Sequence, residues 1–203
     1  MNPATDSPTR SMSAPLSDPM RVDPDRVIAT LLLAFSADPG IRWCFPRTDR
    51  YVRAFPELVR LEAAAAFAAG TVDVVDGHAG SAVWVPPDAV PDEDGVVALL
   101  QRQVDAARIE DVLALNARVE QHRPTEPHWY LLCVGVDPNR QGRGHGSALL
   151  RHGLDRCDRD GLPAYLESAN PRNRELYERR GFVVQAEIRV ADSPPVWPMR
   201  RPA

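Results

Sequence analysis

An apolar segment that runs into a glycine-rich loop and then into a helix is the feature that most limits the fold of this chain. The segment HWYLLCVGV (128–136) has the β-branched and aromatic content of a buried strand. The loop NRQGRGHGS (139–147) follows, and apolar residues then recur at helical spacing from Ala148 to Cys157. This order brings unpaired backbone amides and the positive end of a helix dipole to one place, so the sequence predicts a phosphate site there.

The glycine spacing in this loop disfavours the commonest nucleotide motifs. Gly142, Gly144 and Gly146 do not fit G-x-G-x-x-G, because position 147 is serine, and no G-x-x-x-x-G-K occurs. All 24 basic residues are arginine, which excludes a P-loop lysine and a Schiff-base lysine. The net charge of −4 argues against nucleic acid or an anionic membrane as a partner.

The remaining periodicity predicts one mixed α/β domain over residues 23–203, preceded by a flexible tail. Helices are predicted over 23–38, 48–69 with a bend at Pro56, 92–121, 148–157 and 170–181. Strands are predicted over 71–75, 79–85, 128–136, 164–168, 182–190 and 196–200, the first two joined by a type I′ turn at Asp76-Gly77. The order implies a mixed sheet with one parallel crossover. Residues 1–22 are rich in Pro, Ser, Thr and Asp and have little to bury.

The cysteines and the apolar runs predict a cytoplasmic protein. Cys44, Cys133 and Cys157 are odd in number and form no CxxC pair, so they indicate neither a disulfide framework nor a metal site. The longest apolar runs, VIATLLLAF and AAAAFAA, are far shorter than the roughly 20 residues of a membrane-spanning helix. The N-terminus lacks the basic-then-apolar layout of a signal peptide.

The loop also carries a family signature. QGRGHG (141–146) fits the pattern Q/R-x-x-G-x-G/A, and the chain resembles the GNAT superfamily of acyl-CoA-dependent N-acetyltransferases. The resemblance rests on residues 122–150 and 164–182, including Asn173, Tyr177, Gly181 and Phe182, and extends loosely from about residue 26 to the C-terminus. It implies a GNAT-type fold, acetyl-CoA as the donor, and direct acetyl transfer to a primary amine in a ternary complex. The expected acceptor is a small molecule, such as the aminonucleoside antibiotic puromycin, and the expected state is a monomer or homodimer.

The resemblance implies which residues bind the cofactor. The diphosphate would lie on the amides of Gln141, Gly142, Arg143, Gly144, His145, Gly146 and Ser147. Arg143, with Arg140 or Arg180, would lie near phosphate oxygens. The pantetheine arm would pair with the backbone of Cys133, Val134, Gly135 and Val136 and contact Asn173. Gly135 is expected to form a bulge that splays this strand from the next, and an amide of that bulge would polarise the acetyl carbonyl.

For catalysis, the resemblance implies that Tyr177 is the general acid for the departing thiolate. The general base stays open. Many family members carry a carboxylate in the first half of the strand before the loop, where this chain has Tyr130. Glu167, Glu126 and proton removal through water are the alternatives.

Three further residues are expected to line the acceptor pocket, namely Phe35, Trp43 and His128. Two other functions stay open beside the small-molecule enzyme: acetylation of a protein or peptide amine, and non-catalytic sensing of acyl-CoA. The missing strand carboxylate motivates the second of these. The first strand that the family leads one to expect is hard to find near residues 16–22.

Overall fold

The computed structural model of this protein describes residues 22–203. The predicted tail, except for its last residue, and most of the segment expected to contain a first strand lie outside the described residues. Val22 belongs to no strand and packs, partly buried, against the core.

Eight α-helices and six β-strands make up the described part of the chain. The helices are α1 (Pro24–Ala34), α2 (Pro39–Cys44), α3 (Thr48–Glu62), α4 (Ala64–Ala69), α5 (Glu93–Gln103), α6 (Ile109–Glu120), α7 (His145–Asp160) and α8 (Pro171–Glu178). The strands are β1 (Val72–Val75), β2 (Gly80–Val85), β3 (Trp129–Val136), β4 (Ala164–Ser168), β5 (Val183–Val184) and β6 (Trp197–Arg201).

The strands form one six-stranded sheet in the order β1-β2-β3-β4-β6-β5. β3 and β4 are parallel and are connected through α7, whereas the other neighbours are antiparallel. The predicted mixed α/β fold with one parallel crossover is therefore confirmed. Two apolar clusters cover the sheet, one built with α1 and α3 and the other with α7, because alternate strand residues point to opposite faces.

The parallel strands β3 and β4 separate soon after they begin to pair. The pairing is limited to Trp129 with Ala164 and Tyr130 with Tyr165. Beyond this fork the remaining six residues of β3 have no partner on β4, so a wedge opens between the two strands. This wedge is where the family resemblance places the reacting groups.

A bulge does occur in β3, but not at Gly135. The β2–β3 register changes between Val83–Cys133 and Trp84–Leu131, which leaves Leu132 as the extra residue. Gly135 has a different role, because a Cβ there would lie 2.7 Å from the Cβ of Ala34. The glycine lets α1 approach the strand, and the prediction of a bulge at this position was wrong.

Several element boundaries also differ from the predictions. Asp38-Pro39, expected only to end the first helix, also begins the short helix α2. The Asp38 side chain accepts a hydrogen bond from the Ile41 amide and caps that helix. Pro56 lies inside α3, and the helical stretch breaks instead at Ala63. The helical stretch 92–121 breaks between α5 and α6, where Val104 is extended.

The strand predictions were correct except at two places. The Asp76-Gly77 turn joins β1 and β2 with positive φ at both residues, but the loop spans residues 76–79 and is longer than a two-residue type I′ turn. Residues 182–190 form only the two-residue strand β5 and an isolated bridge at Ile188. The alternating pattern there reflects partial packing beside β6 and not a full strand.

Gly153, in the middle of α7, should resist replacement by alanine. Alanine ordinarily favours a helix interior over glycine by about 1 kcal/mol. Here the new Cβ would overlap the indole ring of the fully buried Trp84 at Nε1. We expect Gly153→Ala to lower the free energy of unfolding by about 1–3 kcal/mol, measured by urea denaturation. Gly146→Ala, whose Cβ would have no neighbour nearer than 3.8 Å, serves as the control. Equal stability of the two variants would contradict the close contact.

Candidate functional site

The loop between β3 and α7 presents backbone amides to solvent. Asp137 starts a short 3₁₀ turn by accepting from the Asn139 amide, and Gln141 Nε2 donates to the Val136 carbonyl at 3.2 Å. Residues 141–144 are exposed. Gly142 and Gly144 have φ of 76° and 81°, a left-handed conformation that glycine adopts without strain.

The N-terminus of α7 begins at this loop without a side-chain cap. Gly144 is the N-cap residue and has no side chain to accept from the first amides. The amides of His145, Gly146 and Ser147 belong to the first turn, where no intrahelical acceptor exists, so they are available to an anion. The structure thus brings together all seven loop residues predicted to bind the diphosphate.

Positive charge surrounds this helix end unevenly. Arg140 Nη2 lies 3.5 Å from Asp76 Oδ2 of the β1–β2 loop, and His145 Nε2 lies 3.7 Å from the same oxygen. Asp76 therefore already partly neutralises Arg140. Arg143 is exposed and forms no ion pair with any residue that the structure describes, which leaves its guanidinium open to a phosphate.

The wedge-facing half of β3 carries the four residues predicted to pair with pantetheine. Cys133 to Val136 pair with β2 on one side only, so their other backbone edge has no partner on β4. Burial raises the pKa of the Cys133 thiol well above its ordinary value. The thiol therefore stays protonated, and Cys133 packs as a small apolar residue.

Tyr177 lies on α8 and reaches toward β3. Its side chain is buried, and its ring meets the Phe182 ring edge-on with centroids 5.9 Å apart. Burial raises the pKa of Tyr177 well above its usual value, and the nearby Cys133 and Asp38 add to the effect. The hydroxyl is therefore a neutral O–H donor at physiological pH. Asn173 lies one helical turn earlier on the same helix.

A group of polar side chains occupies the base of the fork. The Tyr130 hydroxyl donates to Glu167 Oε2 at 2.6 Å, and Arg123 Nη2 lies 3.6 Å from Glu167 Oε1. The Arg123 guanidinium also lies over the Tyr130 ring, 4.7 Å from its centroid. Burial raises the pKa of Tyr130, and the adjacent Glu167 raises it further. We call Arg123, Tyr130, Tyr165 and Glu167 the fork cluster.

The fork cluster contains buried polar atoms without hydrogen bonds. Glu167 Oε1, Tyr165 Oη and Arg123 Nε are each buried and have no hydrogen-bond partner among the described residues. Ion pairs partly satisfy two of these atoms, since Glu167 Oε1 lies 3.6 Å from Arg123 Nη2 and Arg123 Nε lies 3.3 Å from Glu120 Oε2. A buried polar group without a hydrogen bond costs on the order of 1–3 kcal/mol, so the remaining hydrogen-bonding capacity favours water or a polar ligand group at this part of the site.

Glu62, which sequence reasoning does not single out, lies beside the fork cluster. It continues the stripe of α3 formed by Phe55 and Val59, which are buried against the sheet. Burial and, to a smaller extent, the charge of Glu167 raise the pKa of Glu62, Arg123 opposes both, and the net result is a pKa of about 7. The one signal in the sequence is a glutamate at the helical spacing of a buried apolar stripe.

The three residues predicted to line the acceptor pocket are not brought together. Phe35 lies at the end of α1, and its ring packs 5.5 Å from that of Phe55. Trp43 donates to Asp192 Oδ1 at 2.8 Å. His128 lies at the fork, where its ring meets that of Tyr165 edge-on at 5.7 Å.

Glu126, the second residue considered as a base, lies outside the fork cluster. Its carboxylate is exposed and pairs with Arg200 at 2.7 Å. Glu167 is thus the only one of the two predicted carboxylates that belongs to the fork cluster.

Comparison with known proteins identifies the family. The model of the acetyltransferase (GNAT) family matches residues 60–182, which include the glycine loop, the fork and α8. The chain therefore belongs to the GNAT acetyltransferase family. It is an acetyl-CoA-dependent N-acetyltransferase, since acetyl-CoA is the acetyl donor of this family.

Three relatives illustrate the range of similarity. An N-acetyltransferase of Schizosaccharomyces pombe, named as uncharacterized, is 29% identical over 180 residues, 82% of this chain and 73% of the relative. Histone acetyltransferase HPA2 and related acetyltransferase from Corynebacterium glutamicum has a crystal structure with a TM-score of 0.65 and 29% identity, covering 95% of this chain and 98% of that one. The polyamine N-acetyltransferase of Drosophila melanogaster has a TM-score of 0.64 at 15% identity, covering 94% of this chain and 100% of that one, a likeness of fold alone.

These relatives support the family and not a narrower identity. The sequence predicts a similarity to puromycin N-acetyltransferase in particular, whereas a relative that matches over most of the chain is the N-acetyltransferase of Schizosaccharomyces pombe. The antibiotic acceptor therefore stays a prediction. None of the helices over residues 22–203 is both long and apolar enough to cross a membrane.

Proposed function

We propose that this N-acetyltransferase transfers acetyl directly from acetyl-CoA to a primary amine of a small molecule. The observation that carries the proposal is the wedge at the fork. There the edge of β3 that has no partner on β4 lies near two carboxylates, Glu62 and Glu167, and near buried polar atoms without a hydrogen bond. Negative charge attracts an ammonium group. The side chains around the fork, such as Tyr165 and Tyr177, are buried, which favours an acceptor whose amine is carried on a slender molecule.

In the proposed complex the chain's own residues divide the work. The amides from Gln141 to Ser147 and the guanidinium of Arg143 hold the diphosphate, as the uncapped end of α7 allows. The free edge of β3 aligns the pantetheine arm. An amide of β3 polarises the acetyl carbonyl as the amine attacks, and Tyr177 donates a proton to the thiolate.

The acceptor should be found by a thiol-release assay. Purified protein is incubated with acetyl-CoA and a panel that contains puromycin, agmatine, polyamines, arylalkylamines and lysine-containing peptides. We expect thiol release with at least one small amine, and acetylation of that amine by mass spectrometry. Release with puromycin would support the aminonucleoside acceptor specifically. The structural similarity to a polyamine N-acetyltransferase places polyamines in the panel.

Acetylation of a peptide amine is the second proposed function. The Corynebacterium glutamicum relative bears the name of a histone acetyltransferase and matches nearly the whole chain at 29% identity. Thiol release with peptides alone would favour this function. Tight CoA binding without thiol release for any amine would instead favour a non-catalytic sensor and contradict both enzymatic proposals.

The predicted domain extent and location are proposed on related grounds. A single domain from residue 23 is supported by the one sheet that α1, α3 and α7 cover on its two faces. A cytoplasmic location is supported by the three cysteines, which are all free.

A further inference from the structure

We propose that Glu62 is the general base that takes a proton from the acceptor ammonium, and that Glu167 is a positioning residue beside it. The inference rests on the proposed function and names the group that the sequence leaves open. It begins from the contrast between the two carboxylates of the wedge. Both lie near the fork, but their partners differ.

Glu167 is already engaged by the protein. Its Oε2 accepts the Tyr130 hydroxyl at 2.6 Å, and its Oε1 faces Arg123 at 3.6 Å. Only 15% of its side chain is exposed. To take a proton from substrate, Glu167 would have to weaken its interactions with a phenol and a cation, so it is the poorer proton acceptor of the two.

The Glu62 carboxylate, in contrast, is free to accept a proton. It forms no hydrogen bond or ion pair with the residues that the structure describes, and it is half-buried. The buried stripe of α3 directs its carboxylate toward the sheet, within electrostatic reach of Tyr130 and Cys133 on β3. Cys133 is the first of the four residues along which the thioester arm is proposed to lie. Glu62 therefore faces the end of that arm from the α1–α3 side of the sheet.

The charges around Glu62 suit a base at neutral pH. Its neighbours are Glu167, Arg123, Tyr130 and Cys133, of which the last two are neutral because burial raises their pKa values. Burial and the Glu167 carboxylate together raise the pKa of Glu62 to about 7. General bases are most effective when their pKa is close to the working pH.

Glu62 and Tyr177 together account for every proton that moves in the reaction. The Glu62 carboxylate takes one proton from the ammonium, and the nitrogen lone pair then forms the C–N bond at the thioester carbon. The C–S bond breaks as Tyr177 gives its proton to the sulfur. The Tyr177 phenolate recovers the second proton from the new amide nitrogen, and Glu62 releases its proton to water.

The test is the pH profile of kcat with saturating acetyl-CoA and an amine whose own pKa lies far above 7. In the wild type, kcat should fall tenfold per pH unit below about pH 7, because protonated Glu62 accepts no proton. Glu62→Gln should lose this acidic limb and lower kcat at pH 7 by roughly tenfold or more. Glu167→Gln should keep the limb but move it to lower pH, because it removes the negative charge that raises the pKa of Glu62.

The controls separate a base from a structural residue. Glu57 lies on the same helix at a half-exposed site and pairs with Arg102, so Glu57→Gln should leave the profile unchanged. Calorimetry should show CoA binding in all variants, and Glu62→Asp should restore part of the limb. Loss of the limb in Glu167→Gln with its retention in Glu62→Gln would overturn the assignment and make Glu167 the base. A wild type that acetylates no amine would contradict the proposed function, and the assignment with it.

Discussion

Replacing Tyr177 by phenylalanine should lower kcat by roughly 10²- to 10⁴-fold while acetyl-CoA still binds, because the variant lacks the proton for the thiolate. Negative charge develops on the sulfur as the C–S bond breaks, and a proton donated at that moment neutralises it. Tyr177 lies on α8 within electrostatic reach of Cys133, the strand residue where the thioester arm is proposed to begin. The phenylalanine variant keeps the ring and its edge-on contact with Phe182, so the change removes one oxygen and little packing.

The raised pKa of Tyr177 adds a pH signature to this result. Its hydroxyl remains protonated well above the pH at which an exposed tyrosine ionises, since burial disfavours the phenolate. The wild type should therefore show no loss of kcat from this group up to about pH 10. Kinetics and calorimetry on the two proteins measure kcat and the CoA dissociation constant separately.

Tyr51→Phe is the matched control. Tyr51 is also buried, but its hydroxyl donates to the Leu32 carbonyl on α1. This variant should lose about 1 kcal/mol of stability and retain kcat. A Tyr177→Phe variant with normal turnover would contradict the acid role.

The sequence predicted the site best where the chemistry is local. The loop from Gln141 to Ser147 follows from glycines that permit positive φ and from a strand that stops directly before a helix. Asp76-Gly77 predicted a turn for the same reason, although not its length. In each case the residues that determine the backbone are adjacent in the chain.

Prediction failed where distant elements decide the outcome. The bulge lies at Leu132 and not at Gly135, because the glycine serves the approach of α1 and the bulge serves the pairing with β2. Residues 182–190 have strand-like alternation, yet only Val183–Val184 pairs with β6 as a strand. Neither contact has a signature within its own segment.

Glu62 shows the same limit for function. Its spacing from Val59 indicates only that one face of α3 contains a glutamate. The two charged residues that shift its pKa, Glu167 and Arg123, are far from Glu62 in the sequence. The fork brings these groups together, whereas the sequence alone indicates Glu167, Glu126 or water as the base.

Replacing Gly144 by aspartate should weaken CoA binding by roughly 100-fold at low salt, whereas Gly144→Asn should weaken it only severalfold. Both side chains tolerate the left-handed φ of 81° better than other residues do, and a Cβ at this position meets no atom within 4 Å. The two variants share their shape and differ in one charge. A carboxylate about 5 Å from a phosphate costs about 3 kcal/mol at an effective dielectric constant near 20, which corresponds to roughly 100-fold.

A matched pair of measurements makes this test specific to the N-terminus of α7. Gly161 is the exposed C-cap residue of the same helix and has φ of 63°. Gly161→Asp therefore introduces the same backbone strain and the same charge at the C-terminal end of α7, away from the proposed diphosphate site. It should bind CoA as the wild type does. Raising the salt concentration should reduce the difference in CoA affinity between Gly144→Asp and Gly144→Asn, because mobile ions screen charges at an exposed loop. Equal CoA affinities for these two variants at low salt would show that the diphosphate does not bind at this helix end, and the cofactor site would have to lie elsewhere on the molecule.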